Sequence, residues 1–178
     1  ISNAGPAVSG IVVMAMASNT ISPVISYVEG ISAKDTRFAG QELAQDLLKK
    51  SGYSRREILT IFLDGTIANA SLFLKGLQEI LGLSFPIIGG SSADDLKFHK
   101  TIQFFNDRIL SDACIGILWT GKGIFSFGTR HGWNPLGKPR IVTKANGNII
   151  QEIEKKPAVN VYEEYFGQDI EDLKRVQL

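Results

Sequence analysis

Ile58-Leu59-Thr60-Ile61-Phe62-Leu63-Asp64-Gly65 is the stretch that decides the fold class. A short, almost unbroken apolar run stopped by a turn pair reads as a strand, and the missing alternation marks it as central, covered on both faces. Downstream, Ala70, Phe73, Leu74, Leu77 and Leu81 recur at helical spacing, and Gly82 closes that helix. Phe85 to Ile88 is the next buried strand and ends in Gly89-Gly90-Ser91-Ser92. Upstream, Gly40, Leu43, Ala44, Leu47 and Leu48 form the stripe of a surface helix. Ser32 and Asp35 cap it as a capping-box-like pair, Lys49 and Lys50 complement its dipole, and Gly52 stops it. Val24 to Ile31 reads as a strand. So does Val12 to Ala17, short and buried, with Ser18-Asn19-Thr20 as the loop between them.

The second half changes character. Thr101 to Phe105, Ala113 to Trp119, Phe125 to Thr129, Arg140 to Ala145 and Ile149 to Ile153 are strand candidates. Between them, Asn106-Asp107, Gly121-Lys122-Gly123 and Asn146-Gly147 have the residues that hairpin turns require. Pro157 opens a last helix, with Ala158, Val161, Tyr162, Tyr165 and Phe166 as its stripe and Gly167 as its stop. The order predicts an α+β (mixed α/β) domain: a mixed, largely antiparallel sheet with helices packed on it. Residues 11–167 are expected to form this one domain. Residues 1–10 read as a tag remnant or flexible N-terminus, because Ser2-Asn3-Ala4 resembles an expression scar. Residues 168–178 read as the start of a linker or following domain.

Composition removes several classes of function. The chain has 178 residues, 44% hydrophobic and 21% charged, enough to bury the core of one domain. Nineteen Lys and Arg against eighteen Asp and Glu leave a net charge of +1, without the basic excess of a protein that grips nucleic-acid phosphates. The single cysteine, Cys114, excludes a disulfide or a cysteine-based zinc site within one chain, and it reads as a buried strand residue. No apolar run reaches the ~18 residues of a membrane span. The run from Ile11 to Ala17 has no positive flank of a signal peptide, so a cytoplasmic location is expected.

Two stretches could carry chemistry. Gly89, Gly90, Ser91, Ser92, Asp94 and Asp95 make a Gly-rich loop at the carboxyl end of a buried strand, with unshielded amides and two hydroxyls. Such a loop can hold a carboxylate or phosphate, or it can be an ordinary tight turn. It lacks the Gly-Lys-Ser/Thr ending of a Walker loop and the spacing of a nucleophile elbow. Arg130, His131, Trp133 and Asn134 pack a cation, an imidazole, an indole and an amide into five positions, as a small-molecule pocket requires. The alternative is a structured surface loop anchored by Trp133. His131 could serve as a general base or as a haem ligand, with His99 in reserve. No acid, base and nucleophile can be placed together, so an enzyme is not expected and no cofactor other than haem suggests itself.

Together these pieces resemble the FIST N domain family. Ile87 to Asp95 resembles its Gly-rich signature. Phe104-Phe105-Asn106, Ser111-Asp112-Ala113, His131 to Gly137, Val142 to Ala145 with Asn146-Gly147-Asn148, Pro157-Ala158-Val159, Val161-Tyr162 and Phe166-Gly167 follow in the family's order across residues 32–167. The resemblance implies a non-enzymatic sensory domain of bacterial or archaeal signal transduction. Such a domain would bind a small metabolite such as an amino acid or small carboxylate. It also implies a C-terminal FIST C domain and a signalling partner such as a histidine kinase or chemotaxis transducer. The alternatives are a haem-based nitric-oxide sensor and a protein-interaction module without a small ligand. The expectation for the site is that the Gly89–Asp95 loop and the Arg130–Trp133 segment converge on one pocket, where Arg130 pairs with a carboxylate and Trp133 covers the apolar part.

Overall fold

The computed structural model describes residues 13–52, 54–94, 97 and 99–167. In chain order the elements are β1 (Ile21–Glu29), a 3-10 turn (Ile31–Ala33), α1 (Thr36–Ser51), β2 (Arg56–Asp64), α2 (Ala70–Leu81), β3 (Ile87–Ser92), β4 (Gln103–Phe105), β5 (Arg108–Leu110), β6 (Ala113–Gly121), β7 (Val142–Asn146), β8 (Ile149–Ile153), β9 (Lys156–Pro157) and α3 (Asn160–Phe166). The main sheet has the order β1-β6-β2-β3. β6 runs antiparallel to both neighbours, and β2 and β3 are parallel, joined through α2. β4 and β5 form a hairpin, and β7, β8 and β9 a small antiparallel sheet. The mixed, largely antiparallel architecture with helices on the sheet is therefore the one that forms.

The core lies between one face of the main sheet and the two long helices. Alternate residues of the strands point there: Leu59, Ile61 and Leu63 of β2, Cys114 and Leu118 of β6, and Val28 of β1. They meet Leu43, Ala44 and Leu47 of α1 and Phe73 and Leu77 of α2. The helices touch each other backbone to backbone at two glycines. A Cβ on Gly40 would collide with the Phe73 carbonyl oxygen, and one on Gly76 with the Arg37 carbonyl oxygen. Arg37 pairs with Glu79 across this contact at 2.5 Å, and Gln41 Nε2 donates to the same carboxylate at 2.8 Å. Cys114 is fully buried, as expected, and burial pushes its thiol far above the ordinary range.

The described residues cover the opposite sheet face only in part. At one end the β4–β5 hairpin lays Phe105 against Tyr27, ring centroids 4.8 Å apart, over buried Leu110, Ala113 and Ile115. At the other, Trp119 faces Phe125 and donates its indole N–H to Thr60 Oγ1 at 3.0 Å. Phe62 between them stays 45% exposed, so β2 is central but not covered on both faces along its whole length.

Several local expectations are corrected. Residues 13–17 form no strand, and Val13 is 83% exposed; Val12 lies outside the described residues. The sheet edge next to that run in the chain is the outer edge of β1. There the alternation set by Lys122 N–H donating to the Thr20 carbonyl places Pro23, which has no N–H to offer, on the outward set. Residues 125–129 form no strand either, and Gly121-Lys122-Gly123 is no hairpin turn, because both edges of β6 are already taken by β1 and β2. Asp35, not Ser32, caps α1, accepting from the Phe38 amide at 2.8 Å. Ser32 sits in the intervening 3-10 turn and donates its hydroxyl to Asp112 at 2.7 Å. Pro157 pairs with Glu152 in β9, so α3 opens later, at Asn160. β5 was not anticipated; it returns from the Asn106-Asp107 turn, where Asn106 takes φ 54°.

Candidate ligand-binding site

The two parallel strands β2 and β3 end side by side, and the site is built at those ends. Gly89, Gly90, Ser91 and Ser92 pair with Ile61, Phe62, Leu63 and Asp64. The Gly-rich stretch expected as a loop is thus the last part of a strand, and the connection begins at Ala93. Gly89 explains how the strand fits. Its φ is 155°, and a Cβ there would strike the Ile61 carbonyl oxygen, so only glycine lets β3 lie this close to β2. Gly90 differs: its φ is ordinary, and a Cβ on it would meet nothing.

Beyond β2, the turn Asp64-Gly65-Thr66 is tied down by one carboxylate. Asp64 is only 2% exposed. Its Oδ1 accepts from the Thr66 amide at 2.9 Å and the Thr66 hydroxyl at 2.7 Å, and its Oδ2 accepts from the Asp112 amide at 2.8 Å. Burial works against its charge, but the Thr66 and Asp112 donors outweigh burial and hold the carboxyl below the usual range. Asp112, at φ 50°, in turn accepts from the Ser32 amide at 3.0 Å. This chain of bonds joins the ends of β2 and β6 to the turn that leads into α1. Gly65 is pinned beside it, its N–H donating to the Ser92 carbonyl at 3.1 Å.

After β3, Asp94 turns its Oδ2 back to accept from the amides of His99 at 2.7 Å and Lys100 at 3.1 Å, closing the connection into a loop. Two cavities flank the end of β3. One, of about 220 Å³, lies between the sheet and the first turns of α2; Ile61, Leu63, Ala70, Leu74, Ile87 and Gly89 line it. The other, of about 200 Å³, is lined by Gly65, Thr66, Ser92, Ala93, Asp94 and Thr101. Ser91 lines both, so the apolar chamber and the hydroxyl-rich one meet at its side chain. Thr101 is 2% exposed, and its hydroxyl has no hydrogen-bond partner among the described residues, though it is close enough to Asp64 to favour that charge.

A model of the FIST N domain matches residues 1–156 of the chain. The chain belongs to this family. FIST N domains are sensory modules of signal transduction, so the chain is of a sensory kind. An uncharacterized protein, MJ1623, of Methanocaldococcus jannaschii is 36% identical over 94 residues, which make up 52% of this chain and 18% of that protein. The chain thus spans less than a fifth of the relative it matches. No solved structure matches it significantly.

Within this FIST N domain the residues singled out from the sequence are placed unequally. Gly89, Gly90, Ser91, Ser92 and Asp94 come together at the two cavities; Asp95 lies outside the described residues. Arg130, His131, Trp133 and Asn134 lie exposed on the irregular segment that follows β6, and they line neither cavity; Trp133 is 85% exposed, so it is not a buried anchor for that segment. Among the described residues no group of His, Cys, Asp and Glu could hold a metal ion, and no helix is long and apolar enough to cross a membrane. Sequence reasoning missed Asp64, Thr66, Ala70, Leu74 and Thr101. The signal was present in part: Asp64-Gly65-Thr66 stops a buried strand as Gly89-Gly90-Ser91-Ser92 does, and two such stops on neighbouring parallel strands make a crevice.

Proposed function

We propose that this FIST N domain is a non-enzymatic input domain that binds a small metabolite, such as an amino acid or a small carboxylate, at the carboxyl ends of β2 and β3. One observation carries the reading: two cavities that no described side chain fills meet at Ser91, where parallel strands end and main-chain groups are reachable past glycine and serine. Gly89, Gly90, Ser91, Ser92 and Asp94 are the binding residues, with Thr66 and Thr101 completing the polar wall. Arg130, His131, Trp133 and Asn134 belong to the proposal as an outlying set that a carboxylate would recruit. Binding signals by favouring one arrangement of the 93–100 connection over another, which requires unequal affinity for the two. The output goes to a part outside this chain, proposed to be a FIST C domain or a signalling protein such as a histidine kinase or chemotaxis transducer. The matched relative is long enough to hold such a part.

The test is a thermal-shift screen of amino acids and small carboxylates on the purified chain. A ligand at 100 times its dissociation constant adds about 2.7 kcal/mol to stability. The shift is expected to vanish in Ser91→Leu, which closes the junction of the chambers. A hit whose shift survives Ser91→Leu would move the site elsewhere. A screen without any hit, repeated on the longer natural protein, would remove the proposal.

A further inference from the structure

We infer that residues 122–141, the irregular segment between β6 and β7, are a docking surface for an acidic protein segment that lies along them in extended form. This goes beyond the proposed ligand site, and Ser91 and its cavities play no part in it. The backbone gives the first reason. Lys122 donates its amide to the Thr20 carbonyl at 2.9 Å, and the Ile141 carbonyl accepts from the Glu154 amide at 2.9 Å. Between those two ties, residues 123–140 make no backbone hydrogen bond among the described residues. A connection this long without structure of its own is uncommon outside functional loops, and its main-chain donors and acceptors are open to a partner strand. Its two ends are nonetheless held. Phe125 faces Trp119, ring centroids 6.4 Å apart, and Arg140 lies over the Tyr165 ring and pairs with Glu164 at 2.7 Å.

The side chains say what the partner must offer. Trp133 and Leu136 are 85% and 64% exposed, and Ile124 and Phe127 of the same segment are exposed too. From Ala113 to Gln151 the sequence has no Asp or Glu, yet Lys122, Arg130, Lys138, Arg140 and Lys144 all fall there. A chain whose net charge is only +1 thus sets these cations apart from its carboxylates. Glu154 and Glu164 take Arg140, and Glu152 takes Lys144. Lys122, Arg130 and Lys138 are exposed and have no ion pair among the described residues. Apolar side chains rimmed by uncompensated cations mark an interaction surface, and Trp and Arg are the residues that dominate protein interfaces. Other anionic surfaces fit less well. In a bilayer the unpaired backbone of residues 123–140 would find no hydrogen-bond partners. A nucleic acid would meet three free cations and release few counterions. An acidic protein strand answers every feature at once: carboxylates for the cations, apolar side chains for Trp133 and Leu136, and main-chain groups for the open backbone.

The test titrates the intact chain with a random glutamate–tyrosine copolymer, followed by calorimetry and by acrylamide quenching of tryptophan. Binding is expected to shield Trp133 from acrylamide and to weaken about tenfold as salt rises from ~0.02 M to ~0.3 M. Trp133→Ala, and Arg130→Ala combined with Lys138→Ala, are each expected to weaken it about tenfold. Lys49→Ala, which removes an exposed cation of α1, is expected to change it by less than about twofold. All these positions are exposed, so melting curves of the variants should match the wild type. A copolymer that does not bind, or that binds the Trp133 and Arg130/Lys138 variants as tightly as the wild type, overturns the inference. So do vesicles of phosphatidylcholine and phosphatidylserine in equal parts that bind as well as the copolymer. Free glutamate that competes equally at the same carboxylate concentration also overturns it, and returns Arg130 to the small-ligand site. None of these failures touches the site at Ser91, which a small molecule and Ser91→Leu test separately.

Discussion

Gly89 and Gly90 are adjacent and identical, yet they answer to different demands. Gly89 sits where φ and a neighbouring carbonyl both refuse a side chain; Gly90 meets neither obstacle. Gly89→Ala is therefore expected to lower unfolding free energy by about 2 kcal/mol or more, and Gly90→Ala to be neutral within about 0.5 kcal/mol, as urea titrations of both variants will read. Asp64 is the other decisive residue. Asp64→Asn removes one charged acceptor from three donors and is expected to cost about 1–3 kcal/mol at neutral pH. Because its folded carboxyl lies below the unfolded value, its contribution is complete above the unfolded value near ~3.9 and disappears as pH falls through the folded one. Stability measured against pH should show wild type and Asp64→Asn converging below about pH 4. A gap that stays constant to the acid limit would contradict the role given to the carboxylate.

At the scale of elements, the contact between α1 and α2 depends on having no side chain at Gly40 and Gly76. Periodicity marks Gly40 as part of a buried stripe, but it carries no information that the neighbour is a backbone. Gly40→Ala would raise intrinsic helix propensity in α1 and yet is expected to destabilise the chain by about 1–3 kcal/mol, because the helices must separate. Calorimetric melting of Gly40→Ala beside an exposed control such as Gln45→Ala separates the two effects; a rise in melting temperature for Gly40→Ala would sink the packing argument. The same scale explains the failed strand at 125–129. Its residues have a reasonable strand pattern, but a strand needs a free edge, and β6 has none to give.

For the whole molecule, α1, α2, β1, β2 and β6 hold most of the buried residues, whereas residues 124–139 are exposed throughout and β7 is exposed along its length. Limited trypsin digestion is expected to cut first at Arg130 and to leave residues of the main sheet in one protected piece. The two tryptophans report the same division: Trp119 is bonded to Thr60, and Trp133 is open to solvent. Acrylamide is expected to quench roughly half of the emission readily, and Trp133→Phe to leave a blue-shifted, poorly quenched spectrum. Uniform quenching in wild type would contradict this placement.

The run at 58–63, the stripes of α1 and α2 and the alternating second half were enough to establish the class of fold, because burial imposes periods that the chain must carry locally. Ser91 and Asp94 were legible for the same reason: a glycine-serine stop after a buried strand is a local pattern. Strand order was not local. Placing β6 between β1 and β2 decided that residues 125–129 stay unpaired, and it brought Asp112 onto Asp64 across 48 positions of chain. The partition into an apolar and a hydroxyl-lined chamber also arose only in three dimensions, since Ala70, Leu74 and Thr101 acquire meaning from which strand end they face, and neighbours in space are a property of topology.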